Sequence, residues 1–473
     1  MASRVGNYMS ILANRYASDQ MKDIWSPKSK IIAERRLWIT VMKTQSELGF
    51  DIPVSAISDY ERVLERIDLE SIDMREIELR HDVKARIDEF NSLAGHQYIH
   101  IGMTSRDLTE NVEAYQILSA LKLTYFKTIA LLSSLVKKIE EYKALPIVGR
   151  SHNVPAQITT LGKRFSTVAE ELLFAQARLA NLIELFPLRG LKGPIGTSQD
   201  SLDLMGENFG KLESVIAKSL GFETVLDSTG QIYPRSIDYQ VVSSLVAISA
   251  APSNMAISIR LMAGHDLVSE GFKETQVGSS AMPHKMNTRS CERINGLAVI
   301  LNGYAVMLGE ISGGQWSEGD VSDSVVRRVA LADAFYCIDG LLETSLTVLD
   351  EFGIYPAMIE KEIKTHLPLL ASSKILLAVV KKGMGREDAH QIIKRASLAL
   401  SSAMRQAQDV DFIELLTNDG NLPLSRSEIE ALISDPLSFA GNAVLQCQAV
   451  LSKISPLLSG QPEAASYKAR PIR

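Results

Sequence analysis

Residues 118–142 read LSALKLTYFKTIALLSSLVKKIEEY, and within them Leu118, Leu121, Tyr125, Leu132, Leu135, Ile139 and Tyr142 recur at spacings of three, four and seven. That rhythm places them on one stripe of a long helix packed nearly parallel to its neighbours. Pro146 predicts its end, because a prolyl ring cannot continue the hydrogen-bond ladder. A second stripe runs through Phe165, Val168, Leu172, Ala175, Leu179, Leu182 and Phe186, stopping at Pro187 and Gly190. A third uses Val241, Leu245, Ile248, Met255, Ile259 and Met262, with Pro252 predicting a kink. A fourth uses Ile294, Leu297, Leu301, Tyr304, Leu308 and Ile311, and a fifth Phe335, Ile338, Leu342 and Leu349. Five such stripes predict a mainly α protein built on a bundle. Strand signals are confined to 145–148 and the neighbourhood of Val225, and neither is followed by a hairpin pattern.

Around this bundle the chain is long, 473 residues, which exceeds what one ordinary core organises. Upstream lies a charge-rich helical stretch centred on 75–90, REIELRHDVKARIDEF; beyond about Ile363 the segments shorten, as in 372–383 and 386–397. The expected domains are 1–111, 112–364 and 365–473. With 46% hydrophobic and 22% charged residues the composition is that of a globular chain. Fifty basic against 56 acidic side chains give a formal charge of −6, which offers no general attraction to nucleic acid or an anionic membrane. Cys291, Cys337 and Cys447 are odd in number and lack metal-like spacing, which suits a reducing compartment. The first 18 residues are too polar for a signal segment, and no uninterrupted apolar run of membrane-spanning length stands out, so a cytoplasmic location is expected.

The chemistry concentrates in Gly278-Ser279-Ser280-Ala281-Met282-Pro283-His284-Lys285-Met286-Asn287, just before the fourth stripe. Glycine, adjacent hydroxyls, an ammonium and an amide offer donors and a fixed cation to an anionic group. No GxxxxGK[ST] or GxGxxG occurs, so neither a P-loop nor a dinucleotide fold is supported. His96 and His100 lie four apart, but HExxH is absent and no third ligand is evident, so no metal site is expected.

The loop resembles the signature loop of the fumarase/aspartase superfamily. Within it the resemblance is strongest to the adenylosuccinate lyase family, and runs from Asn14-Arg15-Tyr16-Ala17-Ser18 to Ser438-Phe439-Ala440-Gly441. Between lie Arg80-His81-Asp82-Val83, His100-Ile101-Gly102-Met103-Thr104-Ser105-Arg106-Asp107, Gly149-Arg150-Ser151-His152, residues 157–164 and Gly230-Gln231. The resemblance implies a three-domain fold with a central long-helix bundle. It also implies a cofactor-independent carbon–nitrogen lyase, which eliminates fumarate from N6-succinyl-AMP and from succinylaminoimidazole-carboxamide ribotide in purine biosynthesis. The implied assembly is a homotetramer whose sites each draw on three subunits.

Such an elimination removes a proton beside a carboxylate and gives one to the leaving nitrogen, so a base, an acid and preset donors are required. By resemblance Ser279 is the base, His152 the acid, Glu292 the group that orients His152, and Lys285 and His81 further members of the catalytic set. Arg15, Tyr16, Arg80, His81, Asp82, Ser324 and Arg328 match the nucleotide pocket, and His100 a residue that positions substrate or phosphate. Thr104, Ser105, Ser280, Lys285 and Asn287 match the holders of the succinyl carboxylates; Ser151, Gln157, Gln231 and Arg293 complete the set. Two departures stand out. Thr288 follows Asn287 where the family commonly has proline, and Gly319 stands where it usually has a substrate-binding arginine. Three explanations stand open: another cation, such as Arg235 or Arg327, fills the gap; the substrate differs from the usual nucleotide; or binding is weakened.

Overall fold

The computed structural model describes residues 10–271, 282, 285–418 and 420–470. Five long helices form its centre: α1 (Ser105–Tyr142), α2 (Leu161–Leu185), α3 (Ser236–Ala263), α4 (Arg289–Ile311) and α5 (Asp323–Glu351). Each packs on the next and α5 packs back on α1, so the bundle closes on itself. The apolar stripes face inward: Leu121, Leu135, Leu172, Leu179, Leu245, Ile248, Ile294, Leu301, Phe335 and Leu342 are all buried. Each such side chain contributes roughly 1.5–3 kcal/mol relative to exposure. α1 ends four residues before Pro146, whereas α3 continues through the buried Pro252 without interruption.

One continuous core runs from Leu12 to Ala464 and joins the N-terminal helices to the bundle. A separate, smaller core unites Ala371, Ile375, Val379, Ile393, Phe412, Leu416 and Ile429. The helix Ala443–Gly460 then returns to α1 and α2. Position 111 lies inside α1 and position 364 inside the helix Pro356–Leu370, so continuous helices cross both expected domain limits. Midway along the bundle the buried Lys127 pairs with Asp339 and with Glu343 (2.6 Å) and donates to Ser18 Oγ (2.9 Å). Tyr467 donates to Glu343 (2.5 Å), so a single buried ammonium, unaffordable without partners, ties both ends of the chain to the centre.

Two sequence expectations are corrected. Residues 145–148 do begin a hairpin: β1 (Pro146–Ser151) pairs antiparallel with β2 (Val154–Thr160) through the two-residue turn His152-Asn153. The signal was missing because the turn uses His-Asn rather than a glycine-containing pair. α3 and α4 are moreover long and apolar enough to cross a membrane by length and composition. The uncharged polar residues that interrupt the apolar run, such as Gln240, Ser243 and Asn254 of α3, do not lower the mean hydropathy enough to exclude one. Both lie in the closed bundle, yet Tyr239, Ile257 and Leu261 of α3 and Val299, Ile300 and Val306 of α4 remain exposed.

Candidate active site

At the start of α1 the spacing Thr104-x-x-Asp107 forms a reciprocal cap: Thr104 N–H donates to Asp107 Oδ2 (2.8 Å), and Asp107 N–H donates to Thr104 O (3.0 Å). Asp107 Oδ1 also accepts from Arg189 Nη1 (2.7 Å), Lys192 N–H (2.8 Å) and Gly193 N–H (3.0 Å). This buried carboxylate clamps the 189–193 turn onto the helix, with Ser105 half-buried beside it. Asp107 lies within the matched motif but is absent from the expected site residues; the capping spacing is the signal that finds it.

One turn on, Glu110 accepts two bonds from Arg235 (2.8 and 2.9 Å), whose Nε also donates to Asp323. Arg327 donates to Asp238 (2.8 Å), Glu113 (2.7 Å) and Tyr233 Oη (2.5 Å). Burial and the like charge of Arg327 would ease deprotonation of Arg235, but Glu110 outweighs both and holds its pKa above the ordinary value. Burial alone would raise Glu113, yet Arg327 and Lys30 hold it down to about 2. Both arginines are thus committed within the fold. The expectation that either replaces a guanidinium at Gly319 is not met, because the polar edges of both are already bonded to carboxylates or to the Tyr233 hydroxyl.

Gly319 has φ +127°, and a Cβ there would meet Ile232 Cγ1 at 2.9 Å. Its neighbour Glu318 offers its carbonyl to Gln231 N–H (2.6 Å), and that carbonyl lies 2.0 Å from where a Cβ on Gly230 would sit. Two backbones therefore touch at 230–232 and 318–319, which only glycine permits. Gln231 is half-buried there, and Ser324 and the exposed Arg328 begin α5 at the same end of the bundle.

Arg80-His81-Asp82 forms the joint between the helices Leu69–Leu79 and Asp82–Ala94. Arg80 takes a left-handed conformation (φ 53°), His81 Nδ1 accepts Lys84 N–H (3.3 Å), and Asp82 pairs with Arg86 (3.2 Å). Burial would raise Asp82, but Arg86 and the Val83 N–H hold it below its usual range. His100, also left-handed (φ 67°), accepts from Trp38 Nε1 at Nδ1 (3.0 Å). Burial pushes its imidazole down to about 4, so at neutral pH it is uncharged and carries its proton on Nε2.

At the other end of the bundle the β1–β2 hairpin presents His152 (φ 51°) and Asn153 (φ 60°) at its exposed tip. Positive φ at both central positions is what a two-residue hairpin turn requires, and here it carries the imidazole outward at the tip. Ser151 and Gln157 flank it and line a cavity of about 790 Å³ with Arg150, Lys163, Arg164 and Asn254. Glu292, exposed in the first turn of α4, makes no hydrogen bond to His152 within the chain. Arg293 lies with its guanidinium 5.4 Å from the Tyr16 ring centre, next to the exposed Arg15. Lys285 is exposed and Asn287 half-buried just ahead of α4; Ser279 and Ser280 lie outside the described residues.

The expected residues thus fall into separate groups. Thr104, Ser105, Gln231, Ser324 and Arg328 sit at one end, and His152, Ser151 and Gln157 beyond the other. α1 alone has 38 residues, about 57 Å at 1.5 Å per residue. One chain does not bring these groups together.

Residues 17–303 match the family model described as Lyase, and residues 368–450 the one described as Adenylosuccinate lyase C-terminus. The chain is 33% identical over 456 residues to adenylosuccinate lyase of Saccharomyces cerevisiae, with 94% of each chain covered. The chain belongs to the adenylosuccinate lyase family. It is a lyase of the fumarase/aspartase superfamily. Adenylosuccinate lyase of Schizosaccharomyces pombe is 31% identical, with 95% of each chain covered. The family fold extends to 3-carboxy-cis,cis-muconate lactonizing enzyme from Pseudomonas putida, with a TM-score of 0.82 over 94% of this chain and 99% of that one at 18% identity. Family membership accounts for the order of the motifs, while the geometry shows which of them one chain holds together.

Proposed function

We propose that this lyase eliminates fumarate from N6-succinyl-AMP, leaving AMP, and from succinylaminoimidazole-carboxamide ribotide, and so serves purine biosynthesis in the cytoplasm. The observation that carries this reading is His152, held left-handed and exposed at a hairpin tip in a chain of this family. There it delivers a proton to the leaving nitrogen while Ser279 takes one from the carbon beside the carboxylate. The neutral His100, donating from Nε2, suits a phosphate or carboxylate oxygen, and Lys285 supplies a point charge.

The separation of the two residue groups by about the length of α1 supports a homotetramer whose sites each combine three chains. The exposed apolar side chains of α3 and α4 support the same assembly, since bundle helices of neighbouring copies cover such faces. Glu292 of one copy then orients His152 of another.

Fumarate release followed by ultraviolet absorbance, with each nucleotide, argininosuccinate and aspartate supplied separately, tests the reading. Turnover of both nucleotides supports it; silence on both sinks it. A second reading, elimination from a different succinyl substrate, is favoured by Gly319. Its positive φ and its contact with Ile232 disfavour the arginine that the family resemblance implies there, and both Arg235 and Arg327 are bonded elsewhere.

A further inference from the structure

The turn that carries His152 is held by one side chain. Arg150 Nη1 donates to the carbonyl of Asn153 (3.2 Å), tying β1 to the turn, and Nη2 donates to Glu362 Oε1 (2.5 Å). Glu362 comes from the helix Pro356–Leu370, which packs on both strands of the hairpin. Its other oxygen, Oε2, is buried and has no hydrogen-bond partner. Asp323 Oδ1, in the Arg235 pair, is left in the same state, so what sets Glu362 apart is that it holds the arginine that grips the turn. Arg164, beneath the same hairpin, donates only weakly to Val148 O (3.4 Å) and feels the Glu362 charge. A carboxylate placed to answer two guanidiniums, one of which grips the turn itself, has more to do than stabilise a helix. The ladder also shifts register between Gly149 and Arg150, and this bulge redirects Arg150 towards the turn.

We infer that Arg150 and Glu362 are positioning residues for His152, locking the hairpin tip in its left-handed form so that the imidazole is presented to substrate in one orientation. This rests on the reading of His152 as the proton donor. Neither residue touches substrate in this scheme, and their effect passes through the turn. Loss of the clamp leaves the hairpin paired but lets its tip relax towards commoner backbone conformations, and misplacing a catalytic group by about 1 Å costs on the order of 100-fold in rate.

The test uses the full-length protein and four variants: Glu362→Gln, Arg150→Lys, His152→Ala, and His152→Ala combined with Glu362→Gln. Glu362→Gln and Arg150→Lys are expected to lower kcat by about 10- to 100-fold at unchanged KM and melting temperature. The double variant is expected to be no slower than His152→Ala alone, since a clamp has nothing to position once the imidazole is gone. Wild-type kcat in both Glu362→Gln and Arg150→Lys, or losses that multiply with His152→Ala, overturns the inference. Wild-type kcat in His152→Ala instead removes the proton donor itself, a failure of the underlying reading that is told apart in this way. Should neither nucleotide turn over, amide hydrogen exchange decides: Glu362→Gln must accelerate exchange across 150–154, and unchanged protection overturns the clamp.

Discussion

The two ends of the bundle treat polar groups in opposite ways. Where α1 begins, Asp107, Glu110, Arg189, Arg235 and Arg327 are buried; Asp107 bonds to Arg189, Glu110 to Arg235, and Arg327 to Asp238, Glu113 and Tyr233. Where the hairpin follows α1, His152 and Asn153 stand exposed in left-handed backbone, held through one arginine and a half-satisfied glutamate. The first end is a scaffold, in which each charge is required by its neighbours. The second is a two-residue turn with positive φ at both positions, built on His-Asn where glycine-containing pairs are favoured. An exposed imidazole that makes no contact with a buried charge among the described residues is free to act on something outside the chain, whereas the buried groups at the first end are not.

Asp107→Ala gives the largest expected effect on stability, because it leaves Arg189 buried without its carboxylate and frees the backbone N–H groups of Thr104, Lys192 and Gly193. About 3–5 kcal/mol should disappear from the unfolding free energy, read by denaturant titration. A loss below ~1 kcal/mol erases the proposed difference between the ends. His152→Ala should do the reverse, reducing kcat by roughly 100- to 1,000-fold while the melting temperature falls only slightly, since alanine at the positive φ of an exposed turn costs little beside a buried charge. A variant that melts earlier without losing turnover makes the hairpin structural.

His100 sharpens the comparison through pH. Its folded pKa of about 4 lies below the unfolded value of 6.5, so between these limits the unfolded chain binds more protons. Stability therefore rises with pH through that window and is lost as pH falls from 6.5 to 4, by at most about 3 kcal/mol. Unfolding free energies measured across the window should show a shallower slope for His100→Gln, which keeps an acceptor for Trp38 but does not titrate. Equal slopes remove His100 from the acid response. The smallest expected effect is that of Gly319→Ala, about 1–2 kcal/mol of strain from the left-handed φ and the contact with Ile232. Gly319→Arg should cost at least as much and should not improve turnover of either nucleotide; improved turnover means that the 316–320 segment moves to admit the side chain.

Much of the architecture was legible along the chain. Helical periodicity reports burial directly, so the stripes through Leu121, Leu172, Leu245, Leu301 and Leu342 located five helices and Pro146 and Pro187 their limits. The hairpin was not legible, since His-Asn is not a pair that announces a turn and the paired strands are short. The sequence also suggested Arg235 and Arg327 as replacements at Gly319, because residue type carries no information about which carboxylate lies opposite.

By itself, then, the sequence determined the helical core and the kinds of chemical group available, both of which depend on local spacing and residue identity. Only the tertiary structure decided that Gly319 is held by contact with 230–232, that Asp107 serves the fold, that Arg150 meets a glutamate 212 residues away, and that the expected site residues lie at opposite ends of a long helix. Each of those facts depends on distances between segments remote in the chain, and such distances are set by packing.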